Sequence, residues 1–189
     1  MADALETHAA EILEQNALDV RTAKQNGLKA AFVDRLTLNQ ARLDGMAGGL
    51  RKVALLPDPI GKSDSVLVRP NGLRIEKRRV PLGVIGIIYE ARPNVTADAI
   101  ALCVKSGNAC VLRGGSEAVR SNAAVCDCLN AAAGENGIPD GAIPLLRDTD
   151  RAAAAEMMRL NGLIDVLIPR GGAGLIKSVV AQATGPVIE

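Results

Sequence analysis

Three short stretches hold most of the residues able to do chemistry: Glu90-Ala91-Arg92-Pro93-Asn94, Arg113-Gly114-Gly115-Ser116-Glu117 and Arg170-Gly171-Gly172-Ala173-Gly174. Each runs from an apolar stretch into a helix-like one and carries an arginine, and two carry a Gly-Gly pair. Open backbone N–H groups at a helix start, next to a guanidinium fork, make a seat for phosphate or carboxylate. Any one stretch alone is more often a tight turn. Three converging on one edge of a sheet favour a ligand site instead.

Other chemistries lack their parts. The only histidine, His8, falls on a surface helix away from any strand end, so a histidine-based hydrolytic triad has no base. One histidine and scattered carboxylates offer no metal site. Cys103, Cys110, Cys126 and Cys128 lie in apolar stretches without paired CxxC spacing, which reads as buried small hydrophobes in a reducing compartment. Gly61-Lys62-Ser63 has the ending of a P-loop, but Leu56 stands where its first glycine is needed, so it reads as a turn. Gly83 and Gly86 belong to the first strand itself, and the ordinary dinucleotide fingerprint is absent.

The elements that must position these loops follow from periodicity. Apolar residues at Leu5, Ala9, Ile12, Leu13, Ala17 and Val20 predict one helix from Ala2 to about Lys24. Thr37-Leu38-Asn39-Gln40 predicts a capping box, with Gln40 reaching back, that opens a second helix through Val53; Pro57 and Pro59 stop it. From Asp64 to Val80 the period becomes two, with Asn71-Gly72 as the turn, predicting a projecting ribbon. After Pro81, apolar strands at 84–89, 109–112, 142–146, 163–168 and 186–188 alternate with helices at 96–106, 117–133, 151–159 and 173–182. That alternation is an α/β, Rossmann-like parallel sheet of about five strands with flanking helices and ligands at the carboxyl edge. The expected parts are a helical segment over 1–63 packed on the cofactor domain, a β-hairpin over 64–80 and a nucleotide-binding α/β domain over 81–189. The chain stops at Glu189, directly after a core strand that nothing then covers, so a truncated protein is expected.

Composition narrows the partners. The 189 residues are 48% hydrophobic, enough for one substantial core, and 22 basic against 21 acidic residues leave a formal charge of +1. No broad field attracts nucleic acid or an anionic membrane, and Lys77-Arg78-Arg79 reads as a solvated strand end. Phe32 and Tyr89 are the only aromatic residues, so base-stacking platforms are missing. Acidic residues run through the first 25 positions, against a signal peptide, and the longest apolar run, Val80 to Tyr89, is about half a membrane span. A cytoplasmic protein is expected.

The stretch VPLGVIGIIYEARPNVTADAIALCVKSGNACVLRGGSEAVRSN, with LIPRGGAGLI, GPVIE and RLTLNQARLDGMAGGLRKVALLPDPIG, resembles the gamma-glutamyl phosphate reductase family of the aldehyde dehydrogenase superfamily. The likeness runs over essentially the whole chain. It implies NADPH-dependent reduction of L-glutamyl 5-phosphate to glutamate 5-semialdehyde with release of phosphate, in proline biosynthesis. It also implies a separate catalytic domain with a nucleophilic cysteine, which would lie beyond Glu189, and a β-ribbon used to form a homo-oligomer. By the family pattern Asn94 helps hold the oxyanion, and Arg113, Gly114, Gly115, Ser116 and Glu117 meet the adenosine side of the cofactor. Gly171 and Gly172 lie beside its pyrophosphate, and Glu189 matches the base of hydrolytic relatives, either catalytic or structural here. Arg113 could pair with a 2'-phosphate that Glu117, if turned inward, would repel. Charge and location alone suggest Arg92 for the acyl phosphate. The rival readings are a relative acting on a free aldehyde and a catalytically silent nucleotide-binding or assembly module.

Overall fold

The computed structural model describes residues 1–189. Helices α1 (Ala2–Thr7), α2 (Ala9–Gln25), α3 (Ala30–Leu36) and α4 (Gln40–Leu55) come first, followed by the antiparallel pair β1 (Ser63–Val68) and β2 (Arg74–Arg78). Then β3 (Val84–Tyr89), α5 (Pro93–Lys105), β4 (Ala109–Arg113), α6 (Val119–Gly134), α7 (Arg151–Met157), β5 (Val166–Arg170) and α8 (Ala173–Gln182) alternate. No helix is long and apolar enough to cross a membrane.

The parallel sheet has the order β4-β3-β5. The two outer strands expected from the sequence join it as single parallel bridges, Leu112 to Leu145 and Leu167 to Val187. Hydrogen bonds from Leu112 N to Pro144 O and from Leu167 N to Pro186 O, each 2.9 Å, fix both flanking segments. A proline in each segment has no N–H to extend the ladder, so pairing stays local.

Successive residues of β3 face opposite cores. Ile85, Ile87 and Tyr89 join a large cluster with Leu5, Ile12, Leu43, Ile100 and Leu129, while Ile88 packs with Met157, Leu167 and Val179 on the other face. The N-terminal helices thus share a core with the sheet. Each such Leu or Ile contributes about 1.5–3 kcal/mol by leaving water. Gly86 is a packing requirement: a Cβ there would lie 2.6 Å from Leu167 Cδ2 and 3.1 Å from Met157 Cε.

Several expected boundaries move. The first helix is broken at His8 (φ −96°, ψ 16°), an exposed residue 3.5 Å from Glu11. Helix α3 was not anticipated. The capping box does not form: Asn39 Oδ1 accepts from Arg42 N at 2.8 Å, Gln40 reaches forward to Asp44, and Thr37 Oγ1 donates back to Val33 O. The strand expected at 163 starts at Val166, and the helix expected to end before Gly134 includes it, the chain turning at Gly137 (φ 84°). The ribbon turn adds Pro70 to Asn71-Gly72, since Gly72 N donates to Arg69 O and Arg69 N to Leu73 O, with Gly72 at φ 84°. That is a three-residue loop with glycine in the left-handed position.

Candidate functional site

Because β3, β4 and β5 are parallel, the loops that follow them leave from one edge of the sheet. The three differ in what fills their helix starts. At α8, Glu90 Oε1 accepts from Gly172 N at 2.8 Å, and a Cβ on Gly171 would strike the Glu90 side chain at 2.8 Å. At α6, Asp19 Oδ2 accepts from Ser121 N at 2.8 Å and Ser121 Oγ at 2.7 Å. Two of the three expected anion seats therefore already hold carboxylates of the chain itself. Only at α5 does no carboxylate accept from the opening N–H groups; Arg92 is its N-cap and Pro93 takes the first-turn position that needs no N–H.

The Gly114–Gly115 turn is close-packed from beneath. A Cβ on Gly114 would overlap Asn122 Nδ2, and one on Gly115 would lie 3.0 Å from Ala91 N. Below it, Tyr89 Oη and Thr96 Oγ1 are 2.7 Å apart and Thr96 Oγ1 donates to Asn122 Oδ1 at 3.1 Å. Burial pushes the Tyr89 phenol well above its ordinary range, so it stays neutral. Arg113 donates to Gly114 O at 2.8 Å and Thr149 O at 3.0 Å, leaving its buried Nε without a partner. Ser116 and Glu117 form a single 3₁₀ turn and border a cavity of about 260 Å³ with Asp19, Asn26 and Arg120.

The other expected residues border two cavities that meet at Arg35 and Arg92. One, about 460 Å³, also takes in Glu90, Arg170, Gly171–Gly172 and Glu189. The other, about 520 Å³, contains Asn94, Asp98, Arg42 and Asp34. Arg92, Gly171, Gly172 and Glu189 thus lie together and Asn94 lies just beyond them. Arg113 to Glu117 lie apart, towards α2. Sequence reasoning missed Arg35, which sits on the unanticipated α3, and Asp98. The spacing of Asp98, one helical turn after Asn94, was the available signal.

The sequence pattern of the "Aldehyde dehydrogenase family" matches residues 2–188. The chain belongs to that family. Gamma-glutamyl phosphate reductase of Thermoanaerobacter sp. (strain X514) is 57% identical over all 189 residues, which are 46% of its length. The crystal structure of gamma-glutamyl phosphate reductase from Thermotoga maritima superposes with a TM-score of 0.97 at 46% identity, over 100% of this chain and 45% of that one. The Saccharomyces cerevisiae reductase gives 0.88 at 32% identity, over 99% of this chain and 48% of that one. The chain spans less than half the length of these relatives of the family.

An aldehyde dehydrogenase that works through cysteine needs a thiolate, and the four thiols here are poorly placed to supply one. Cys103, Cys110 and Cys126 are buried. Burial, with Asp127 beside it, pushes Cys126 up to about 12, and a bond donated to Cys103 together with burial pushes Cys110 up as well, while that bond lowers Cys103. Burial also raises Cys128. Native protein treated with iodoacetamide at pH 8 should therefore alkylate Cys110 and Cys126 at least ~100-fold more slowly than free cysteine. Peptide mapping that finds either of them rapidly labelled before denaturant is added would refute this.

Proposed function

We propose that this chain is the cofactor-binding part of an enzyme that reduces L-glutamyl 5-phosphate to glutamate 5-semialdehyde with NADPH, releasing phosphate in proline biosynthesis. The observation that carries the reading is 57% identity running across all 189 residues to a gamma-glutamyl phosphate reductase. The open start of α5 supports it. There the Asn94 amide donates to the acyl oxygen as it gains charge, without changing its own charge. Arg92, exposed at the junction of the two cavities, meets the acyl phosphate. The nucleophilic cysteine comes from outside residues 1–189.

The 460 Å³ cavity bordered by Gly171, Gly172, Arg92 and Arg170 fits a nicotinamide cofactor lying beside the turn, the Gly172 N–H itself being held by Glu90. When bound, the cofactor supplies the hydride. The chain's share is to hold it against the carboxyl edge, with Glu90 fixing the Gly172 turn and Arg113 pinning the 149–150 segment under the adenosine side. A reaction that expels phosphate activates no water, so Glu189 has no proton to move in it. The ribbon, with Val66, Leu67, Val68 and Ile75 exposed, joins copies of the protein into a homo-oligomer.

The test is the reverse reaction. Full-length protein given glutamate 5-semialdehyde and NADP should reduce the cofactor only when phosphate is present. Equal rates without phosphate would identify a hydrolytic aldehyde dehydrogenase instead, and equal kcat/KM with NAD would remove the NADPH preference.

A further inference from the structure

The cavity beyond Asn94 contains charges that the reading above leaves idle. Asp98 lies one turn after Asn94 on α5, and its carboxylate accepts only a 3.5 Å hydrogen bond from the Asn94 amide. It forms no ion pair, although cations line the same cavity. Asp98 is exposed on its open side, and the partial burial of the rest raises its carboxyl above the ordinary range, against the bond from Asn94 and the field of Arg170. A carboxylate so placed gains from an ammonium brought to it. Of the three arginines there, Arg42 is spent: it donates to Asp34 O, Thr37 O and, at 3.0 Å, Asp34 Oδ1. Arg92 stands at the helix start beside the reacting group. Arg35, which borders the cavity, uses only Nε, on Ala31 O at 3.2 Å, and neither terminal nitrogen makes a hydrogen bond or ion pair.

We infer that this cavity reads the amino-acid end of the substrate, with Asp98 taking the α-ammonium and Arg35 the α-carboxylate. The inference rests on the reaction proposed above and specifies its selectivity. The reach is adequate: three C–C bonds, about 4 Å when extended, separate the reacting carbon of a glutamyl group from its α-carbon. An acyl oxygen at the Asn94 amide thus leaves the α-ammonium within reach of the Asp98 carboxylate. Opposite charges on two walls would reject mono-functional aldehydes that a purely apolar tunnel admits.

Three aldehydes separate the parts: glutamate 5-semialdehyde, 5-oxopentanoate, which lacks the amine, and 4-aminobutanal, which lacks the carboxylate. In full-length enzyme, Asp98→Asn should lower kcat/KM for the two amine-bearing substrates by about 10–100-fold and leave 5-oxopentanoate within about twofold. Arg35→Gln should do the converse, sparing only 4-aminobutanal. Inhibition gives a second measurement that needs no turnover of the analogues: Asp98→Asn should weaken L-glutamate but not glutarate. An equal loss on all three substrates would mean that Asp98 acts only through the Asn94 amide, and no loss would mean that it faces solvent; either overturns the inference. Failure of the proposed reaction looks different, because wild-type protein would then show no phosphate-dependent turnover of any of the three.

Discussion

Asn94→Ala in the full-length enzyme should lower kcat by about 10²–10³-fold while leaving KM for glutamate 5-semialdehyde within about threefold. The asymmetry follows from what the amide does. A neutral carbonyl oxygen gains little from one more donor, whereas the oxyanion that replaces it gains several kcal/mol, about 3–4 in well-studied cases. The fold should not suffer. Asn94 is exposed, and its side chain makes only the long bond to Asp98. The melting temperature should stay within about 2 °C. Asn94→Asp sharpens the test, because it keeps the shape but places a second negative charge beside the developing one, so it should be at least as damaging as alanine. An alanine variant with unchanged kcat would remove Asn94 from the chemistry, and a loss confined to KM would make it a ground-state contact.

That prediction attaches to one of three loops, and the sequence could show the three but not rank them. Strands buried on both faces announce themselves as unbroken apolar runs, so 84–89 and 109–112 were legible, and with them the edge from which the loops leave. Shared periodicity hides breaks: Leu5, Ala9 and Ile12 stay buried on one stripe through the irregular turn at His8, so nothing in the pattern marks the break. Helix α3 has seven residues, fewer than a periodic signal needs. The Gly-Gly pairs were visible as candidates for close approach. What approaches them was not: Asn122 of α6 and Ala91 of the loop after β3 at one pair, and Glu90 of that same loop at the other. The occupant of the α6 start, Asp19, is 102 residues away from its partner in the chain, beyond any local pattern.

Asp19 also carries the largest expected effect on stability. It is 2% exposed and accepts from Ser121 N, Ser121 Oγ and, at 3.3 Å, the Arg120 guanidinium. Asn16, also 2% exposed, extends the network: its amide donates to Ser121 Oγ and Leu36 O, and its Oδ1 accepts from Leu38 N at 2.7 Å. One buried cluster thus joins α2, the end of α3 and the first turn of α6. Asp19→Ala leaves a backbone N–H and a hydroxyl buried without acceptors and removes the charge facing the positive end of α6. The cost should be about 3 kcal/mol or more, read as a lower urea midpoint at unchanged m-value. Asp19→Asn keeps one acceptor oxygen and should lose less. Ser121→Ala should be clearly non-additive with Asp19→Ala, because each removes the other's partner. The consequence reaches the loop edge. Ser116 and Glu117 border the same cavity as Asp19, so its loss should raise amide hydrogen exchange across 114–118 more than across 171–174, where Glu90 holds the turn independently. Equal exchange at both loops would show that Asp19 supports the fold as a whole, with no particular hold on the Gly114–Gly115 turn.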